Sequence, residues 1–367
     1  MTAPHRIRTW LTERLGIRYP IIQAPMAGGP TTPQLVAAVG NAGALGSFGF
    51  AYTEPPAMRS QCAAARALTT APIHVNLFVD EPGPPPPEQD IERALAALRP
   101  MYAAVGATAP ATVAAPYAPS LDAQVAAVRD IRPAVLSMHF NQLGKQYIAE
   151  LQALGILVAA SVTNLAEARH AQGLGLDFAI AQGAEAGGHR GTFIGTAEDS
   201  MIGTLALVRS IVRNCSIPIV AAGGIMDGAG LAAVLALGAC GAQIGTAFLT
   251  VDESGAPDVH KQALLDASGA STTITRAFSG RPARGIRNAY IRRAESGDFP
   301  ILPFPVQNKA TGPLRAAAAK QGNPDYVSLW AGQGYTLSRK MSAAALIDTI
   351  AQEYDEATQE LIRAARG

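Results

Sequence analysis

Short apolar runs rich in β-branched residues alternate with longer Ala/Leu-rich stretches through the first two thirds of the chain. Alternation between strand-length and helix-length apolar patterns predicts βαβ units and a parallel sheet. Eight strands are expected: "PIIQAPM" (20–26), "ALGSFG" (44–49), "IHVNLFV" (73–79), "AVLSMHF" (134–140), "LVAASV" (157–162), "FAIAQG" (178–183), "PIVAAGG" (218–224) and "AQIGTAF" (242–248). Helical patterns follow the first, fifth and seventh, over 32–43, 164–175 and 228–238. The last two end in glycine, and Asn164 and Asp227 stand where N-caps belong. Eight strands with such connections match a (β/α)8 TIM barrel, an α/β fold.

Two regions break the rhythm. Residues 80–118 contain "EPGPPPPEQD" and "ATAPATVAAP", which predict an irregular loop around one helix at 88–105. After the eighth strand, "STTITRAFSGRPARGIRN" reads as strand or loop and "TGPLRAAAAKQG" as helix, while 342–365 supplies the eighth barrel helix. The expected division is therefore a cofactor-binding barrel, 1–250 with 335–367, and a smaller substrate-side subdomain, 251–334.

Composition narrows the function. A formal net charge of +1, without a Lys/Arg-rich run, argues against nucleic acid. No run of ~18 uncharged apolar residues suggests a membrane span. Cys62, Cys215 and Cys240 have neither metal-site nor disulfide-framework spacing, and the polar start lacks a signal-peptide core, so a reduced cytoplasmic setting is expected.

In a parallel barrel the loops at the strands' C-terminal ends build the active site. The residues suited to chemistry fall there. Pro25 and Met26 end the first strand, Asn76 lies in the third, His139 ends the fourth and Gln182 ends the sixth, leading into "GAEAGGHRG" with Gly187 and His189. Gly223 and Gly224 end the seventh strand, and Gln243, Gly245 and Thr246 lie on the eighth. Glycine-rich turns after the last two strands suit a phosphate, because they expose backbone N–H groups to an anion. The plainer alternative is that these glycines only permit tight turns.

No G-x-G-x-x-G follows a strand, so a phosphate-bearing mononucleotide fits better than a dinucleotide. Asn76 and Gln182 offer amides to the polar edge of a ring. No His/Asp/Glu cluster has metal-ligand spacing. His74 reads as structural, His5, His170 and His260 as surface residues, and Glu185 as a salt-bridge partner for Arg190.

"QAPMAGG" (23–29), "HVNLF" (74–78), "AQGAEAGGHRG" (181–191), "PIVAAGGI" (218–225) and "AQIGTAF" (242–248) together resemble the nitronate monooxygenase family, formerly 2-nitropropane dioxygenases. The resemblance continues into "SGRPARGIRN" and "PVQNKATGPLR". It implies FMN across the barrel mouth, with Pro25 and Met26 along the ring and Asn76 and Gln182 at its polar edge. Gly187 would give clearance, and Gly223, Gly224, Gln243, Gly245 and Thr246 would hold the phosphate.

His189 matches the family's catalytic histidine, with His139 a second candidate and Lys309 a cation near the substrate. Where relatives carry tyrosines before that lysine, this chain has Ile301, Leu302, Phe304 and Pro305. The implied reaction is oxidation of alkyl nitronates by O2 to an aldehyde or ketone plus nitrite. The alternatives are an FMN-dependent NAD(P)H-using reductase of the same superfamily, of the enoyl-ACP or quinone type, and a catalytically silent phosphate-binding barrel. Monomer and homodimer both stay open.

Overall fold

The computed structural model describes residues 6–80, 83–266, 271–297 and 299–366. All eight expected strands form, as β1 (Ile21–Gln23), β2 (Gly46–Gly49), β3 (Ile73–Phe78), β4 (Val135–His139), β5 (Leu157–Val162), β6 (Phe178–Gln182), β8 (Ile219–Ala222) and β9 (Gly241–Ile244). A two-residue arm, β7 (Gly188–His189), lies outside their sheet. The sheet is parallel in the order β1-β9-β8-β6-β5-β4-β3-β2. It closes where Leu45 N donates to Ile21 O and Gln23 N donates to Leu45 O, both at 2.9 Å. The molecule is a (β/α)8 TIM barrel.

Strand alternation explains the two cores. Leu136, Val158, Ala179 and Ala221 face the surrounding helices, whereas Val135, Ala159, Phe178, Ile180 and Val220 fill the barrel's lower interior, with Leu11 as a plug from the helix Trp10–Leu15. Further along the same inward face the residues turn polar: Ser47, His74, Asn76, Ser137, Ser161 and Gln182. That change from apolar to polar places the site at the C-terminal mouth. The helices expected at 164–175 and 228–238 run Leu165–Leu174 and Gly228–Ala236, and Asn164 and Asp227 accept from Glu167 N and Gly230 N as N-caps. The last helix, Ala343–Arg366, buries Leu346, Ile347 and Ile350 against the barrel, and Glu353 accepts from Gly228 N.

A second core roofs the mouth. Helix Glu88–Ala104 contributes Leu98, Met101 and Tyr102, and helix Val306–Lys320 contributes Ala310 and Leu314. Tyr102 Oη donates to Ala310 O at 2.6 Å, tying together segments 208 residues apart. Beside it, β10 (Thr272–Thr275) and β11 (Ala283–Ile286) form an antiparallel pair, and β11 also pairs with β7. The roof thereby fixes the backbone of His189, which pairs with Ala283. No helix among the described residues is long and apolar enough to cross a membrane. The three cysteines are free.

Candidate active site

Between barrel and roof lies a cavity of about 840 Å³. Every residue singled out above for the site lines it. At one end, Gly223 and Gly224 adopt φ of +114° and +74°, a region that favours glycine. A Cβ on Gly223 would come within 3.0 Å of Ala186 N and Thr204 Oγ1. Among the described residues, the N–H groups of Gly223, Gly224 and Gly245 meet no backbone acceptor. Thr246, which opens the short 3-10 helix Thr246–Leu249, accepts from Gly332 N at 3.0 Å, so its hydroxyl hydrogen is free to donate. Free N–H groups, a hydroxyl and a short helix start after the last two strands are the donors a phosphate cradle would need. Gln243 adds a buried Oε1 with no partner among the described residues.

The two strand-end amides differ. Asn76 spends its Nδ2 on Ser137 Oγ (2.8 Å) and Ser137 O (3.2 Å), which leaves its carbonyl oxygen as an acceptor in the cavity. His74 sets this arrangement from below, its Nδ1 and Nε2 each 2.7 Å from Ser47 Oγ and Ser137 Oγ. Gln182 is engaged at both ends: Nε2 donates to His189 O (2.8 Å) and Oε1 accepts from Gly191 N (2.8 Å). Its amide holds the "GGHRG" loop. Gly187 also serves the loop's packing, since a Cβ there would come within 2.6 Å of the backbone at Ala331 and Gly332.

His139 Nε2 lies 3.2 Å from His189 O and Nδ1 2.8 Å from Ser161 Oγ. A carbonyl only accepts, so Nε2 carries the proton and Nδ1 takes the serine's hydrogen. Both ring nitrogens are occupied. His189 Nε2 is 2.8 Å from Ser279 Oγ, and its Nδ1 bonds no described residue. The ring sits among Phe78, Phe140, Phe304 and Trp330, at centroid distances of 5.7–6.0 Å. Burial, with smaller contributions from His139, Arg281 and Arg315, lowers its pKa to about 3, so the imidazole is neutral at physiological pH. Phe140 holds an unusual φ of +79°, and Arg281, paired with Asp80 at 2.7 Å, lies 3.7 Å over its ring.

Two expectations need correction. His260 is buried rather than on the surface: it lines the cavity, and its Nε2 donates to Trp330 O at 3.0 Å. Glu185 and Arg190 do not pair. Glu185 accepts from Thr204 N at the start of helix Thr204–Asn214, while Arg190 donates to Gly183 O, Gln182 O and Ser200 O. Five residues apart, each is taken by backbone groups nearer to hand. Lys309 lines the cavity as expected, and two of its three N–H donors go to Ala114 O (2.7 Å) and Pro116 O (2.8 Å), pinning the proline-rich loop. His170 is exposed, and His5 lies outside the described residues.

Sequence reading missed Ser279, Trp330, Tyr52 and Arg315. Ser137 and Ser161 were findable, because each sits on the inward register of its strand.

Burial holds His74, His139 and His189 near pKa 3 and His260 near 4, all below the usual 6.5. The unfolded chain therefore binds more protons as pH falls below about 6.5, and stability drops with it until the folded values are reached. The melting temperature is expected to fall between pH 7 and pH 5, with about four protons taken up by these groups on unfolding at pH 5. A melting temperature flat across that interval contradicts their burial.

The nitronate monooxygenase family model matches residues 8–353. The chain belongs to the nitronate monooxygenase family. It is 41% identical over 354 residues to a nitronate monooxygenase of Paraburkholderia phytofirmans, covering 96% of each chain. The Pseudomonas aeruginosa nitronate monooxygenase is 42% identical, over 93% of this chain and 98% of that one. Among solved structures, nitroalkane oxidase from Streptomyces ansochromogenes superposes with a TM-score of 0.87 at 40% identity, covering 96% of this chain and 99% of that one. FabK from Thermotoga maritima reaches 0.76 at 30%, covering 98% and 99%. This chain is an oxidoreductase of the nitronate monooxygenase family.

Proposed function

We propose that this chain is an FMN-dependent nitronate monooxygenase, oxidising alkyl nitronates with O2 to an aldehyde or ketone plus nitrite. The observation that carries the reading is His189, with its Nδ1 free of protein partners, in the same cavity as a glycine-built phosphate cradle. The residues fit FMN. Gly223, Gly224, Gly245 and Thr246 would hold the phosphate with donors the fold leaves unused, Asn76 would accept from a ring N–H, and Pro25 and Met26 would lie along the ring. When bound, the flavin supplies the oxidising equivalents and the reactivity toward O2.

His189 works through Ser279. When the serine donates to Nε2, the imidazole presents Nδ1–H to a nitronate oxygen; when the serine instead accepts, Nδ1 is a base for the α-proton of a neutral nitroalkane. His139 and Gln182 position His189 through its carbonyl. The roof segment 251–334 is the substrate-side subdomain on this reading, and its Phe304 ring lies 6.0 Å from that of His189.

Anaerobic mixing of the purified flavoprotein with ethyl nitronate, propionate 3-nitronate, NADH or NADPH tests the function. Bleaching by the nitronates is expected. Rapid bleaching by a nicotinamide with none by nitronate turns the assignment to a reductase of the FabK type, the second reading that the 30% identity keeps in play.

The cradle has its own test. At φ +74° a valine in place of Gly224 is strained, and its Cβ would meet Glu185 Cβ at 3.3 Å. Gly224→Val is expected to weaken FMN binding roughly tenfold or more. A folded variant with a normal flavin-to-protein ratio refutes the cradle.

A further inference from the structure

Arg315 projects into the cavity from helix Val306–Lys320 without a carboxylate within 4 Å among the described residues. Only its Nη2 is engaged, with Asn308 O (2.9 Å) and Asn308 Oδ1 (2.8 Å). Its Nε is buried and has no partner. Three phenols surround the charge: Tyr52, Tyr290 and Tyr102. Tyr290 and Tyr102 donate to Ala277 O and Ala310 O, but Tyr52 Oη is buried and also has no partner. The nearby acid, Asp80, is neutralised by Arg281, and the exposed Lys309 gives two of its three N–H donors to backbone carbonyls.

The corner thus offers two buried, unanswered donors and one uncompensated positive charge. An unpaired buried charge and unsatisfied donors are costly unless a ligand answers them. The shared chemistry is a small anion with more than one oxygen. Phe78 relates the corner to the reactive histidine, its ring 5.8 Å from both Tyr52 and His189.

We propose that Arg315 and Tyr52 form an anion subsite that selects the ionised nitronate over its neutral nitroalkane acid. The pair is a specificity determinant for the reaction proposed above and rests on that reading for its substrate. A nitronate spreads one negative charge over two oxygens, which an N–H and an O–H donor meet together. A neutral nitro group gains far less from the guanidinium.

The test uses the flavin-loaded enzyme, with nitrate as an inert planar anion and nitroethane as the neutral probe, both titrated anaerobically by calorimetry, and with ethyl nitronate as substrate. Arg315→Met is expected to raise the Kd for nitrate and the KM for ethyl nitronate roughly 10- to 100-fold, with the nitroethane Kd changing less than about threefold. Tyr52→Phe is expected to raise the same two constants about 3- to 10-fold while its melting temperature and flavin content match wild type, since the hydroxyl leaves no protein partner behind. That split separates ligand recognition from a structural role, and Tyr52→Phe alone decides the matter if Arg315→Met does not fold.

Unchanged nitrate affinity in the folded variants, or an equal loss for nitroethane, overturns the subsite. A wild-type protein that binds nitrate through this pair yet leaves ethyl nitronate unoxidised overturns the oxidase reading and leaves the subsite standing.

Discussion

On the proposed function, replacing His189 by Asn is expected to leave the cofactor bound and to lower kcat/KM for alkyl nitronates by about 10²–10⁴-fold, the usual cost of losing a positioned acid–base group. Flavin retention follows from the architecture, because the loop is fixed at the His189 carbonyl by Gln182 and His139 and by the pairing with Ala283. An asparagine amide ends at the level of the ring's Nδ1 and falls short of Nε2, so the variant removes both the ring and its bond to Ser279 Oγ. Steady-state kinetics with oxygen consumption, beside the flavin-to-protein ratio, checks it. Unchanged kcat/KM removes His189 from the chemistry. In the wild type, a pKa near 3 means that no imidazole limb is expected near pH 6.5 in the nitronate profile.

The second large effect is on stability. Arg190 is 1% exposed and serves as the keystone of the strand-six loop, donating to Gly183 O (2.6 Å), Ser200 O (3.0 Å) and Gln182 O (3.2 Å). Burial lowers its pKa only to about 10, so it is charged in the folded protein. Arg190→Met has similar length but no donor. Leaving buried carbonyls without their donor is expected to cost about 2–5 kcal/mol, a fall in melting temperature of roughly 3–7 °C for a chain of this length. Flavin content is expected to fall with it, because Gly183 and Gln182 lead directly into the cavity wall. Thermal denaturation by circular dichroism decides the point, and a melting temperature within a degree of wild type refutes it.

The barrel was legible because its signals are local. Apolar runs of strand length, spaced by helical patterns with Asn164 and Asp227 as caps, specify β5, β6, β8 and β9 without reference to distant residues. The strand-end glycines that the proposed cradle uses were legible for the same reason, since Gly223, Gly224 and Thr246 announce themselves at strand ends. The proposed anion corner was not, because Tyr52 and Arg315 come from opposite ends of the chain and reach one cavity only when the roof closes. His260 misled through its setting in "DVHKQALL", whose polar neighbours suggest an exposed helix, whereas the roof covers that face and supplies Trp330 O. β7 has two residues and no periodicity to read; pairing with β11 creates it.

The backbone anchoring of position 189 has a consequence for how such a site can change over generations. Gln182, His139 and Ala283 grip the main chain, and the side chain enters the cavity with a single hydrogen bond to Ser279. Position 189 is therefore a socket: a substitution there exchanges the side chain offered to the cavity while the loop that presents it stays in place. A barrel built this way can acquire a different chemistry by single steps that do not first pass through an unfolded intermediate sequence.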